Sequence, residues 1–291
     1  QFLTSWLDDR KSYVIVGGER SAETALTNSV FQGTVLGSPL WNLFYVDANS
    51  AVRPSGFTEV VFADDFNAWK GFEAGTAVGA ILAECRSCQD TLHRWGRANS
   101  VKFDSTKESF HVLHRRRGYG DDFRLLGVDF DSELVMDRGC CAIAKEAGWR
   151  LQSVLKPKRF FTQPELMNLY KSQVLTYLES GTPGFYHASR TVLFQIDRVQ
   201  LRLLRQLGLT EVEALQRYRL APLPARRDMA MLAVLHRIVL GSAPSQLAQL
   251  FPFAPPRTRP QSRLLNQRHN KQFVQREFRT DTFKRSLFGC V

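Results

Sequence analysis

Long apolar runs are missing from this sequence. None approaches the ~18 residues needed to span a bilayer, and no signal peptide opens the chain. Cysteine is scarce, at five in 291 residues. So small and odd a number argues against a disulfide scaffold and for a reducing, intracellular compartment. Acid is in deficit: 28 Asp and Glu face 39 Lys and Arg, a net charge of +11. That imbalance favours a polyanionic partner, nucleic acid before membrane surface. An initiating Met is also lacking. The chain starts at Gln1 inside an amphipathic segment (Phe2, Leu3, Trp6, Leu7), which reads as a fragment. What is present, 44% hydrophobic and 11% aromatic residues, suits a globular chain long enough for two compact units.

The most informative stretch is Phe57-Thr-Glu-Val-Val-Phe-Ala-Asp-Asp-Phe-Asn-Ala-Trp-Lys70. An apolar run from Val60 to Ala63 delivers two adjacent carboxylates, Asp64 and Asp65, and Phe66 begins a return. The pattern predicts a β-hairpin with acid at its tip. Two carboxylates held there repel each other unless a cation lies between them, and a hard divalent ion such as Mg²⁺ suits oxygen donors. Two other pairs, Asp8-Asp9 and Asp121-Asp122, lack the apolar run and read as solvated loop or cap residues.

Around this hairpin the pattern predicts an α+β arrangement. A helix end covers residues 1–10. Strands run through Tyr13–Val16, turned by Gly17-Gly18, and through Glu23–Leu26. Thr34 is a candidate cap for a helix carrying Pro39, Leu40, Leu43, Phe44 and Val46. A long helix spans 75–98 with Val78, Ile81, Leu82, Cys85, Leu92 and Trp95 near helical spacing. Val101–Phe103 and Ser109–Leu113 read as a strand pair around Thr106-Lys107. Phe123–Phe130 reads as a strand returning through Leu134–Met136. Helices at about 139–155, 163–181, 189–207, 211–219 and 226–240 follow, punctuated by prolines. In the last of these Asp228 is a candidate cap, and Met229, Leu232, Leu235 and Val239 form one apolar stripe. From residue 251 a basic tail, with Phe273, Phe278 and Phe283 interleaved, either follows a nucleic-acid backbone or is solvated charge.

Cys85-x-x-Cys88 with His111-x-x-His114 downstream invites a zinc reading. The cysteines lie inside a helix rather than on a knuckle turn, Cys85 fits the buried stripe, and no second pair stands at finger-like spacing, so the reading is set aside.

Four stretches occur in order: Phe31-Gln-Gly-Thr-Val-Leu-Gly-Ser-Pro-Leu40, Phe62-Ala-Asp-Asp65, Trp95…Asn99…Phe103…Lys107, and Leu125-Leu-Gly-Val128. Together they resemble the reverse transcriptase of non-LTR (LINE-type) retrotransposons. The resemblance implies a right-hand polymerase: a partial palm with a primer-grip hairpin over 1–136, a helical thumb-like region over 137–250, and the basic tail over 251–291. It implies an RNA-directed DNA polymerase that uses Mg²⁺, an RNA template, a DNA primer and deoxynucleoside triphosphates, and that works in the nucleus or cytoplasm. Asp64 and Asp65 would be the metal ligands and Lys107 the group that protonates or neutralises pyrophosphate. Phe31, Gln32, Gly33, Phe62 and Ala63 would line the template and nucleotide, and Leu126 and Gly127 would form the primer grip. The sequence departs from the family at Ser29, Phe31 and Ser38, where glycine or proline is usual. The upstream Asp that completes a two-metal site, and the fingers with it, have no counterpart. The expectation is a fragment inactive by itself; the alternative is a non-catalytic nucleic-acid-binding remnant.

Overall fold

The structure is a computed structural model that describes residues 1–26, 33–114, 118–254, 273–274 and 285–286. It divides into two compact units, Gln1–Val112 and Leu113–Val291, with an α+β mixture of helices and two-stranded sheets.

In the first unit α1 (Phe2–Leu7) precedes β1 (Lys11–Ser12), which pairs antiparallel with β4 (Thr24–Ala25). Between them β2 (Ile15–Val16) and β3 (Glu19–Arg20) form a hairpin through Gly17 and Gly18, both at positive φ (61° and 90°). Only a tight left-handed turn joins such short strands, and glycine adopts it without a Cβ clash. Helix α2 (Gly37–Val52) follows, then β5 (Thr58–Phe62), β6 (Asp65–Trp69) and α3 (Val78–Ala98). Thr34 accepts a hydrogen bond from the Gly37 amide at 3.2 Å, so it caps the helix from just outside. Tyr45, Ala48 and Trp95 are the centre of one apolar cluster, joined by Phe66 and Phe103; Val52, Phe57 and Cys88 form another. The buried positions of α3 are Ile81, Cys88, Trp95 and Gly96, so Cys88 lies deeper than the expected Cys85.

The expected strand pair at 101–103 and 109–113 does not form. Backbone and side chains are committed elsewhere: the Val101 amide donates to the Gly96 carbonyl at 2.8 Å, closing the end of α3. Phe103 lies against Trp95 and His93. The Asp104 carboxylate accepts the amide and hydroxyl of Thr106 at 3.1 and 2.7 Å, making a turn where β-pairing was anticipated.

In the second unit β7 (Phe123–Leu125) and β8 (Val128–Phe130) are themselves a hairpin, closed by Leu126 and Gly127. The expected return through 134–136 is replaced by a loop wound on Asp131, whose carboxylate accepts the amides of Glu133, Val135 and Met136 at 3.1, 2.9 and 2.6 Å. Helices α4 (Asp137–Leu155), α5 (Gln163–Tyr170), α6 (Thr176–Ser180), α7 (Thr182–Phe185), α8 (Arg190–Leu207), α9 (Glu211–Tyr218), α10 (Leu223–Val239) and α11 (Ser245–Gln249) follow. A π-helical turn, Lys171–Leu175, joins α5 to α6, so the predicted helix 163–181 is interrupted in hydrogen bonding rather than broken. The main core lies between these helices and includes Leu151, Met167, Tyr170, Phe185, Ile196 and Leu203.

Helix α10 starts at Leu223 rather than 226, and its buried face is Arg227, Met231, Leu235 and Ile238. Met229 and Leu232, expected in its apolar stripe, are 65% and 50% exposed. Asp228 is not a cap but accepts the Tyr186 hydroxyl at 2.9 Å.

His187 is partly buried, with Nε2–H donating to the Leu134 carbonyl at 3.1 Å. Burial pushes its pKa down, opposed by the Leu134 bond and by Asp131. The unfolded chain therefore binds a proton near pH 6.5 that the folded unit resists, and stability falls as pH drops through that value. Thermal midpoints should decline between pH 7.5 and 5.5, and His187→Gln should flatten the decline. Parallel profiles for both proteins would refute this.

Candidate active site

The acidic tip is built by the β5–β6 register. Phe62 pairs with Asp65, which leaves Ala63 and Asp64 as a two-residue turn. Ala63 holds φ at +55°, a conformation that hairpin turns usually give to glycine and that strains an L residue. Two features fix it. The Trp41 indole N–H, on α2, donates to the Ala63 carbonyl at 2.8 Å. The Trp41 ring also stacks on Tyr45 at 5.1 Å, and Tyr45 in turn meets Phe66 and Trp95. An aromatic platform thus lies beneath the hairpin, and Asp64 and Asp65 project from it into solvent. The charge at the tip reaches that platform. Burial raises the pKa of the Tyr45 phenol, and Asp64 and then Asp65 raise it further.

Two adjacent, exposed carboxylates are the oxygen donor set that a hard cation such as Mg²⁺ prefers, so the residues fit such an ion in kind. They do not complete a site. Among the described residues no group of three or more His, Cys, Asp or Glu side chains could hold a metal.

Lys107 sits on the turn organised by Asp104. Its amide donates to the Asp104 carbonyl at 3.0 Å, and its ammonium, 84% exposed, lies 3.9 Å from the Asp104 carboxylate. Hydrogen bonds from Thr106 hold the Asp104 carboxyl below the usual carboxylate range. The next residue, Glu108, anchors the turn to α3 through His93 at 2.7 Å and through Gln89. Gly33 has φ +81° and open space where a Cβ would stand, so its conformation rather than crowding calls for glycine. Phe62 is exposed beside the tip. Phe31 and Gln32 lie outside the described residues.

In the second unit, Leu126 and Gly127 occupy the β7–β8 turn at φ +47° and +85°, with the Leu126 side chain exposed. Both angles positive is the left-handed turn that matches strand twist. Val128 anchors the hairpin by packing against Gly181 and Gly184.

Trp41 was invisible as a site residue in the sequence, because its bond partner is 22 positions away. Trp41→Phe keeps the ring and deletes the donor, which should cost about 1 kcal/mol locally. Amide exchange at Phe62 and Asp65, the pair that closes the turn, should speed up roughly fivefold. Unchanged exchange would mean that the bond does not hold the tip.

Among the described residues no helix is long and apolar enough to cross a membrane. No family model matches the chain, and no solved structure matches it. The RNA-directed DNA polymerase from the mobile element jockey of Drosophila melanogaster is 20% identical over 224 residues, which cover 71% of this chain and 24% of that relative. The chain therefore spans about a quarter of the length of the polymerase to which it is distantly similar.

Proposed function

We propose that this chain is part of an RNA-directed DNA polymerase of the LINE-type retrotransposon class. The observation that carries the reading is the strained β5–β6 turn that presents Asp64 and Asp65 together at an exposed tip. The distant similarity to the jockey polymerase supports it. In this reading residues 1–136 are palm, with the β7–β8 hairpin as primer grip, and 137–250 are thumb.

Asp64 and Asp65 would hold Mg²⁺, which when bound stabilises the charge that develops on the attacking and leaving oxygens of nucleotidyl transfer. The chain's own residues supply the rest. Lys107 faces the pyrophosphate and neutralises or protonates it as it leaves. The backbone at Gln32-Gly33 and the exposed Phe62 ring contact the template and incoming nucleotide, and the Leu126-Gly127 turn presses on the primer terminus. The substrates are an RNA template, a DNA primer and deoxynucleoside triphosphates, encountered in the nucleus or cytoplasm.

Residues 1–291 contain two of the carboxylates that a two-metal centre uses, so we infer that they do not polymerise alone. The test is primer extension on an RNA template with Mg²⁺. Residues 1–291 should give no product, and a polypeptide extended upstream should give product that Asp64→Ala removes. Extension by residues 1–291 that Asp64→Ala abolishes would overturn the claim of incompleteness. Failure of every extended polypeptide would favour the second reading, a nucleic-acid-binding remnant without catalysis, to which the loss of glycine and proline at Ser29, Phe31 and Ser38 also points.

A further inference from the structure

A second feature of the helical unit uses none of the residues above. The turn after α4 lies against the C-terminal end of α8: Lys158 Nζ donates to Gln206 Oε1 at 3.2 Å, and Gln163 Nε2 donates to the Leu207 carbonyl at 2.9 Å. That packing brings Lys158 onto Gln206, the residue that follows Arg205 on α8, with Arg159 next to Lys158 in the turn. Arg202 and Arg198 continue the exposed face of α8. At ~1.5 Å per residue the three α8 arginines mark a row roughly 10 Å long.

Like charges gathered on one surface repel. Among the described residues none of these five side chains has a carboxylate within ion-pair distance. Two nearby carboxylates are engaged elsewhere. Glu165 caps α5 through Thr162, and Glu213 caps α9 through Thr210 and meets Arg217 at 3.7 Å. Glu211, on the first turn of α9, remains as the local counter-charge.

The same turn exposes aromatic surface. Phe160 is 73% and Phe161 40% accessible, and the Arg159 guanidinium lies 4.6 Å from the Phe160 ring centroid. A cation over an exposed ring, beside a row of unpaired arginines, is the composition of a platform that stacks an unpaired base while cations take the flanking phosphates. Acidic protein would satisfy the arginines but has no use for the ring. A duplex, whose bases are already stacked, would not use it either.

We propose that this end of the helical unit binds single-stranded nucleic acid, with Lys158, Arg159, Arg202 and Arg205 on phosphates and Phe160 under a base. The site is separate from the β7–β8 hairpin. That hairpin abuts the first turn of α4, where the Asp129 carbonyl crowds Gly139, and α4 is 19 residues, roughly 28 Å, long.

The test is fluorescence anisotropy of residues 1–291 with labelled U12, T12 and a 12-bp duplex at several salt concentrations. The quadruple variant Lys158→Ala/Arg159→Ala/Arg202→Ala/Arg205→Ala should bind U12 and T12 at least tenfold more weakly. Its plot of log affinity against log salt should flatten by about 0.7 for each phosphate that is no longer neutralised. Phe160→Ala should weaken single-strand binding roughly tenfold and leave duplex binding unchanged. Arg94→Ala/Arg97→Ala on α3 should match the wild type. Circular dichroism checks that each variant is folded. Wild-type affinity and slope in the quadruple variant would overturn the proposal. So would an equal loss of duplex and single-strand binding in Phe160→Ala, an equal loss in the α3 variant, or poly-glutamate competing as well as U12.

Discussion

Asp64→Ala, in an upstream-extended polypeptide that elongates a primer, should lower the extension rate by about 10³ or more and leave template–primer binding within about twofold. The expected size follows from several kcal/mol of transition-state charge stabilisation at about 1.4 kcal/mol per factor of ten. The structure makes the experiment clean. Asp64 occupies the turn rather than the β5–β6 ladder, and its side chain is exposed, so replacement breaks no pairing and buries no unpaired group. Surface substitutions of this kind change stability by less than about 0.5 kcal/mol. A loss of activity is then chemical, not a loss of fold. Thermal melts of the variant should match the parent, and a variant that melts normally and still extends would remove Asp64 from the mechanism.

Arg227→Ala should destabilise the helical unit by about 3–5 kcal/mol. Arg227 and Asp197 are 7% and 13% exposed at their side chains, and the guanidinium forks onto the carboxylate at 2.6 and 3.1 Å, tying α10 to α8. Removing one member leaves the other charged and buried, and that exposes the desolvation cost that the pair had offset. Lysine cannot reproduce the two parallel bonds, so Arg227→Lys recovers only part of the loss. The neighbouring pair, Arg226 with Glu179, is about a third exposed on each side and should matter much less. Urea midpoints measure both. Asp197→Ala/Arg227→Ala should cost less than the sum of the single changes, because no uncompensated charge remains. Additive losses would show that the two side chains act independently.

Much of the second unit was legible in sequence because its signals are local. The predicted helices 139–155, 189–207 and 211–219 correspond to Asp137–Leu155, Arg190–Leu207 and Glu211–Tyr218. Their ends are set within one turn of chain, by Ser189 accepting the Val192 amide, by the Thr210–Glu213 capping box and by Gly208 in a left-handed conformation. The Asp-Asp hairpin was readable for the same reason, since strand, turn and return lie within a dozen residues.

Errors arose where local pattern met a distant partner. Residues 101–113 alternate like strands, yet Phe103 is taken by the aromatic cluster of α3 and Asp104 by Thr106, so no edge remains to pair. Of the expected α10 stripe Met229, Leu232, Leu235 and Val239, Leu235 is buried, whereas Met229 and Leu232 face solvent and Arg227 turns inward to Asp197, 30 positions earlier.

The sequence by itself determined where the long helices and the Asp-Asp hairpin form and that two carboxylates stand together at a turn, because backbone propensity and capping act over a few residues. Tertiary structure decided what holds that turn. The Trp41 N–H reaches Ala63 across 22 positions only after α2 and the hairpin have packed. It also decided where basic charge gathers, since Lys158 reaches Gln206, the residue after Arg205, only when the turn after α4 lies against α8. Spacing along a chain fixes local geometry; which surfaces face each other depends on how the whole core is filled.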